Sequence, residues 1–345
     1  MPSIPASTTE RAADAKGRAA EPLLAIRGLV VRFATRSGVV TAVDGVDLDL
    51  LPGECLGVVG ESGSGKSVTF AAVMGLVRRP GRVAGGSIRF RDLDLLALGD
   101  AERRALRGRD IAMTLQDALT ALNPAFTVSS QITEVLLTHR RVGSYREARS
   151  QALELMRLVG IPAAEQRLDD YPHQFSGGMR QRIMVAIALA CRPQLLIADE
   201  PTTALDVTIQ AQVLELIAGL RERLGMSVVL ITHNLGVVAE YCERVAVMYA
   251  GQVVESGPTD EVIATPRHPY TRGLLQSIPR LDRLGERIRP IQGALPDLAR
   301  IGNICRFAPR CAYRVDACHN PIPMFDAGPG RSARCIRIDE LRHIQ

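Results

Sequence analysis

The sequence predicts an α/β fold, and three observations carry that reading. Compact apolar runs alternate with helical patterns: Cys55–Val59 precedes a helix over Ser67–Val77, and Leu195–Ala198 and Ser227–Ile231 flank a helix over Thr208–Leu224. The first run ends in a glycine-rich turn that opens directly into its helix, the order of an α/β unit. The third is bulk: 345 residues, 46% of them apolar, supply core for one large domain or two ordinary ones. With 23% charged residues the composition is that of a soluble globular chain, which excludes a mainly disordered one.

Residues 1–20 form a polar, aperiodic lead-in without a continuous apolar stretch, so no secretory signal is expected. Leu23–Phe33 and Val39–Leu51 alternate as strands around the turn Arg36-Ser37-Gly38. Residues 118–185 are rich in Arg, Glu and Leu, with long helical segments such as Tyr145–Val159, and predict an inserted helical subdomain. Ala246–Tyr249 and Gln252–Glu255 are further strands before Ser256-Gly257-Pro258. After a break at Pro266 comes a Pro- and Arg-rich tail holding four of the seven cysteines. The chain therefore divides into a lead-in (1–20), a main domain (21–265) and a tail (266–345). No internal repeat is visible. The longest apolar run, Ile183–Ala190, falls well short of the roughly 18 residues a membrane span needs. The net charge of +5 is spread along the chain, a pattern of a solvated surface and not of a nucleic-acid footprint. A cytosolic protein is expected.

Gly60-Glu61-Ser62-Gly63-Ser64-Gly65-Lys66-Ser67 matches G-x-x-x-x-G-K-[ST] in full. Its glycines let backbone N–H groups converge on phosphate oxygens, and the following helix offers its positive end. Lys66, one of only two lysines in the chain, would reach the β- and γ-phosphates, and the Ser67 hydroxyl would ligate Mg²⁺. Leu195-Leu196-Ile197-Ala198-Asp199-Glu200 is an apolar strand ending in two acids. Asp199 suits the metal side, and Glu200 suits a general base for water. In His173-Gln174-Phe175-Ser176-Gly177-Gly178-Met179-Arg180-Gln181-Arg182, Ser176 can cap a helix whose first turn is free of bulk, a second anion site. One nucleotide cannot easily meet both helices in one compact subunit, which points to two subunits meeting head to tail.

Together these motifs resemble the ATP-binding subunits of ABC transporters, over roughly residues 22–260. Ser176 to Gln181 resembles the family signature, with Phe175 where Leu is usual. Gln116 matches the Q-loop glutamine, Ala204-Leu205-Asp206 the D-loop, and His233 the histidine that contacts the γ-phosphate; Phe33 is a candidate for stacking on adenine. The resemblance implies a RecA-like core, an antiparallel β subdomain and a helical subdomain. It also implies ATP bound by Gly60, Ser62, Gly63, Ser64, Gly65, Lys66, Ser67 and Asp206, with Ser176 and Gly178 contributed across the dimer, and Mg²⁺ at Ser67, Gln116 and Asp199.

Leu122-Asn123-Pro124, Tyr171-Pro172-His173-Gln174, Thr203 to Gln212 and His268-Pro269-Tyr270-Thr271 are similar to the dipeptide/oligopeptide importer branch. Ala118 and Ala121 depart from the Pro and Ser usual there. The branch implies a peripheral subunit on the cytoplasmic face of the cell (inner) membrane. Its partners would be two permease subunits, a second homologous ATPase and an extracytoplasmic solute-binding protein, with no nucleic acid. Nickel, glutathione or an antimicrobial peptide are alternative cargoes, and a soluble ABC ATPase acting on nucleic acid is a rival from another class.

Cys305, Cys311, Cys318 and Cys335 put four thiols into 31 residues, and a cytosolic chain should not hold them as disulfides. Zinc, an iron–sulfur cluster and free thiols are the three readings, and the lack of close C-x-x-C pairs favours iron–sulfur over zinc. The branch resemblance implies a 4Fe-4S cluster with a structural role. His319 is read as a bystander, and Cys55, Cys191 and Cys242 as packing residues.

Overall fold

A computed structural model describes residues 21–36, 38–114, 121–203, 205–277 and 291–343. β1 (Leu24–Thr35) and β2 (Gly38–Leu50) pair antiparallel, from Leu24 opposite Leu50 to Thr35 opposite Gly38. β3 (Cys55–Val59) follows and leads into the helix Lys66–Val73. β4 (Gly81–Phe90) then pairs with β1, and β5 (Leu93–Asp94) completes a four-stranded antiparallel sheet. Sequence reasoning left Gly81–Thr114 unassigned; besides β4 and β5 it holds the helix Asp100–Leu106 and β6 (Ile111–Thr114).

The second sheet carries the site. β7 (Leu195–Asp199), β8 (Ser227–Thr232), β9 (Arg244–Tyr249) and β10 (Gln252–Pro258) join β3 and β6 in it. The order β9-β3-β8-β7-β6 is parallel throughout, so all five strands end at one edge. Its central strands are buried on both faces and read as continuous apolar runs, as parallel strands must. Alternate residues feed two cores. Leu196, Ala198, Val228 and Leu230 face the helical side, and Leu195, Ile197, Val229 and Ile231 face the side covered by the antiparallel sheet.

The segment expected as a helical subdomain has the helices Val128–Thr138, Tyr145–Leu158 and Ala164–Arg167. The helix Gly177–Leu189 returns the chain to the sheet, and Val207–Leu224 connects β7 to β8. Expected boundaries hold to within a few residues, with one instructive overrun: the helix read as Ser67–Val77 stops at Val73. Gly75 takes φ +61°, and the N–H groups of Leu76 and Gly75 donate to the carbonyls of Ala71 and Ala72, the hydrogen bonds of a Schellman close. Leu76 and Val77 are apolar but lie beyond the stop.

Past residue 265 the chain stays on the same body. The helix Pro269–Gln276 buries Tyr270 and Leu274 in the core shared with the helical side. β11 (Phe325–Gly328) and β12 (Arg331–Ala333) form a hairpin, and β12 pairs with β10, so the tail extends the sheet of the main domain. Arginines fasten it. Arg306 binds Asp44 at 2.6 Å and the Ala250 carbonyl; Arg331 binds the buried Glu255 at 3.4 Å; Arg334 donates to the carbonyls of Val253 and Ile322.

Candidate ATP site

β3 ends at Val59 and the chain turns into the P-loop. Gly65 takes φ +99°, where a Cβ would lie 2.7 Å from the Ala42 carbonyl oxygen of β2, so only glycine fits this approach. Ser64, Gly65 and Lys66 are buried, whereas Ser62, Gly63 and Ser67 face outward. Lys66 Nζ donates to the carbonyls of Gly60 (2.7 Å) and Glu61 (3.0 Å) and lies 3.4 Å from Ser64 Oγ. Burial lowers its pKa, with the charges of Glu200, Asp199 and Glu61 pushing the other way.

β7 lies beyond β8 from the P-loop strand and delivers the two acids to the same edge. Ser67 Oγ donates to Asp199 Oδ1 at 3.0 Å, which joins the hydroxyl and carboxylate expected on the metal. Burial raises the Asp199 carboxyl above its usual range, the Ser67 hydrogen bond opposing it. Glu200 is one of the few non-glycine residues at positive φ (+45°). Its N–H donates to the Ile231 carbonyl, and its Oε2 accepts from Thr203 Oγ1 at 2.9 Å. His233, just past β8, is well exposed and sets Nδ1 3.6 Å from the same Oε2. The structure thus brings together Lys66, Ser67, Asp199, Glu200 and His233.

Other expected residues are placed elsewhere. Ser176 caps Gly177–Leu189 by accepting from the Met179 N–H at 3.4 Å, and Asp206 caps Val207–Leu224 by accepting from the Ile209 N–H at 2.9 Å. A Cβ on Gly178 would stand 2.5 Å from Ile209 Cγ2, so the signature packs on the start of the next helix. Phe175 is buried under the Arg167 guanidinium, 4.3 Å from its ring centroid. Phe33 lies half-buried on β1 opposite Val40 and Gly81. Gln116, Ala118 and Ala204 lie outside the described residues, as do the lead-in and Ser37.

In the tail, Cys305, Cys311, Cys318 and Cys335 line one cleft with Phe307 and Ile322, leaving about 20 Å³ of free room. Burial pushes the Cys311 and Cys335 thiols up to about 11 and about 12. The donors fit a metal group in number and chemistry. Among the described residues, however, no three His, Cys, Asp or Glu side chains stand close enough to hold an ion as they are. Cys55 and Cys242 are buried, their sulfurs 3.5 Å apart, and Cys191 is buried as well, all three as packing residues would be.

Sequence reasoning missed a set of residues behind the P-loop. Arg310 forms two hydrogen bonds to the Glu61 carboxylate, and Tyr270 Oη accepts from the Glu61 N–H. Glu61 and Tyr270 lie in motifs read from the sequence, but no pattern ties either to Arg310, whose one signal is its place before Cys311.

Comparison with known proteins bears on the whole chain. A family described as ABC transporter matches residues 43–203, and one described as oligopeptide/dipeptide transporter, C-terminal region matches residues 254–318. A peptide import ATP-binding protein of Brucella melitensis is 50% identical over 334 residues, 93% of this chain and 98% of the relative. A dipeptide transport ATP-binding protein of Bacillus subtilis is 51% identical over 304 residues, 88% and 90% of the two chains. Among solved structures, a dimeric ATP-binding cassette bound to ADP and Pi in a post-hydrolysis state superposes with a TM-score of 0.62 at 27% identity. It covers 68% of this chain and 98% of that one. An ABC transporter component of Clostridium perfringens gives 0.60 at 25% identity over 71% and 91%. No helix among the described residues is long and apolar enough to cross a membrane.

Proposed function

Because the chain belongs to the ABC transporter ATP-binding proteins, we propose that it hydrolyses ATP to drive a membrane importer of dipeptides or oligopeptides. The observation that carries the chemistry is the convergence of Lys66, Ser67, Asp199, Glu200 and His233 on one sheet edge. The peptide cargo is supported by the family match of the tail and by the relatives at about 50% identity.

In this reading Lys66 leaves its loop carbonyls for the β- and γ-phosphates, and the P-loop N–H groups cradle the same oxygens. Ser67 and Asp199 would hold Mg²⁺, with Gln116 expected to join them, and the ion would supply positive charge to the phosphates. Glu200 accepts the proton of the attacking water, and His233 steadies the γ-phosphate beside it. Phe33 stacks on adenine. Ser176 and Gly178 of a second ATPase subunit close over the γ-phosphate, and Asp206 lies near that junction. The helical subdomain passes the closure to two permease subunits at the cytoplasmic face of the membrane, while an extracytoplasmic binding protein delivers the cargo.

A membrane pull-down of Glu200→Gln in ATP and Mg²⁺ tests this. The variant should be trapped ATP-bound and recover two permease-like subunits and a second ATPase. Free hydrolysis would remove Glu200 as the base, and recovery with nucleic acid or ribosomes would sink the transport reading.

The four tail cysteines are proposed as ligands of a 4Fe-4S cluster that cross-links the tail. Support comes from their convergence on one cleft among apolar neighbours. Loading must strip protons from the raised thiols, so occupancy should fall as pH falls. Anaerobically purified protein should be brown with about four irons per chain; stoichiometric zinc would replace the cluster with a zinc site.

A further inference from the structure

An ion pair between a buried arginine and a half-buried carboxylate joins the tail to the P-loop. The Arg310 side chain is only 6% exposed; its Nη1 lies 2.7 Å from Glu61 Oε2 and its Nη2 3.1 Å from Oε1. Such a fork fixes direction as well as distance. The remaining donors are also committed: Nε to the Gln292 carbonyl at 2.9 Å, Nη2 to the Ile291 carbonyl at 3.2 Å, and Nη1 to Tyr249 Oη at 3.3 Å. The guanidinium cannot turn without breaking several hydrogen bonds.

Glu61 is held from two sides. Its carboxylate meets Arg310, and its N–H donates to Tyr270 Oη at 2.8 Å. Tyr270 packs at a tilt against Tyr249 and Phe307, ring centroids 4.6 and 5.5 Å away, and Phe307 and Arg310 lie in the same turn between Cys305 and Cys311. The Glu61 carbonyl in turn accepts from Lys66 Nζ. An uncompensated carboxylate here would stand at the rim of a site built for a polyanion and repel it.

Resting on the ATP-site reading above, we propose that Arg310 is a positioning residue for the P-loop. From the tail it neutralises Glu61 and fixes it, so that the loop meets the nucleotide phosphates with its shape set and without an opposing charge.

The test is binding of trinitrophenyl-ATP to the full chain, with ATP hydrolysis measured alongside. Arg310→Ala should weaken binding about tenfold and raise KM more than it lowers kcat. Adding Glu61→Gln to Arg310→Ala should restore affinity to within about threefold, because the unpaired charge is gone. A tail that merely needs Arg310 to fold would gain nothing from that second change. Unaltered affinity in Arg310→Ala, or a loss that Glu61→Gln fails to recover, overturns the proposal. Should Arg310→Ala not fold, Arg310→Gln is read in the same way. Lys66→Ala separates the two levels: if it binds the probe as wild type does, the ATP-site reading itself fails.

Discussion

At the scale of single residues, the site is built from groups whose chemistry leaves few substitutes. That Lys66, Ser67, Asp199, Glu200 and His233 would meet at one sheet edge was legible, because each ends or follows a strand that the apolar pattern reveals. The left-handed φ of Glu200 was not legible. It is a strained conformation held by the Ile231 carbonyl and the Thr203 hydroxyl, and strain of this kind gathers where function over-determines geometry. The Glu61–Arg310 pair was equally hidden, because its members lie 249 positions apart. Phe175 is a departure that the structure accounts for: the ring is a floor for Arg167, which also reaches Asp170 and the Gln174 carbonyl. Phe175→Leu should therefore cost no more than about 1 kcal/mol in chemical denaturation and leave hydrolysis intact. A collapse of activity would give the ring a role in the signature beyond packing.

At the scale of elements, legibility followed pattern strength. The strands buried on both faces were read almost to the residue, and the helix Tyr145–Leu158 missed by one because Gly160, at φ +72°, closes it. β4 escaped because glycines and arginines interrupt its alternation, and its pairing with β1 is set by residues far away in sequence. The helix Gly177–Leu189 shows two demands on one glycine. Its first turn packs on Val207–Leu224, so Gly178→Ala must push Ile209 aside by about an ångström. Adding Ile209→Ala should return the melting temperature towards wild type without returning ATPase activity, since the helix start, exposed at Ser176 and Gly177, is proposed to face a second subunit. Recovery of both would mean that Gly178 serves packing alone.

At the scale of the whole molecule, the tail is fastened by arginines that looked like surface charge and reach the strands and loops before residue 265. The sequence could not separate them from the other arginines of an Arg-rich chain. Arg331 is the most exacting case: it is 4% exposed and paired with Glu255, whose carboxylate also accepts the N–H groups of Arg267 and His268. Burial raises the Glu255 carboxyl, so its charge depends on those partners. Arg331→Ala should cost about 3–5 kcal/mol in denaturant titration; a loss below about 1 kcal/mol would make the pair incidental. The hairpin that carries Arg331 has one more consequence. Without β12, the outer side of β10 would be an open sheet margin of unpaired N–H and C=O groups, a template on which another chain could add a strand. The last strand of the sheet is instead β11, four residues long and bearing Asp326. By this account a chain cut short before the hairpin would be lost to aggregation before any failure of catalysis could be measured.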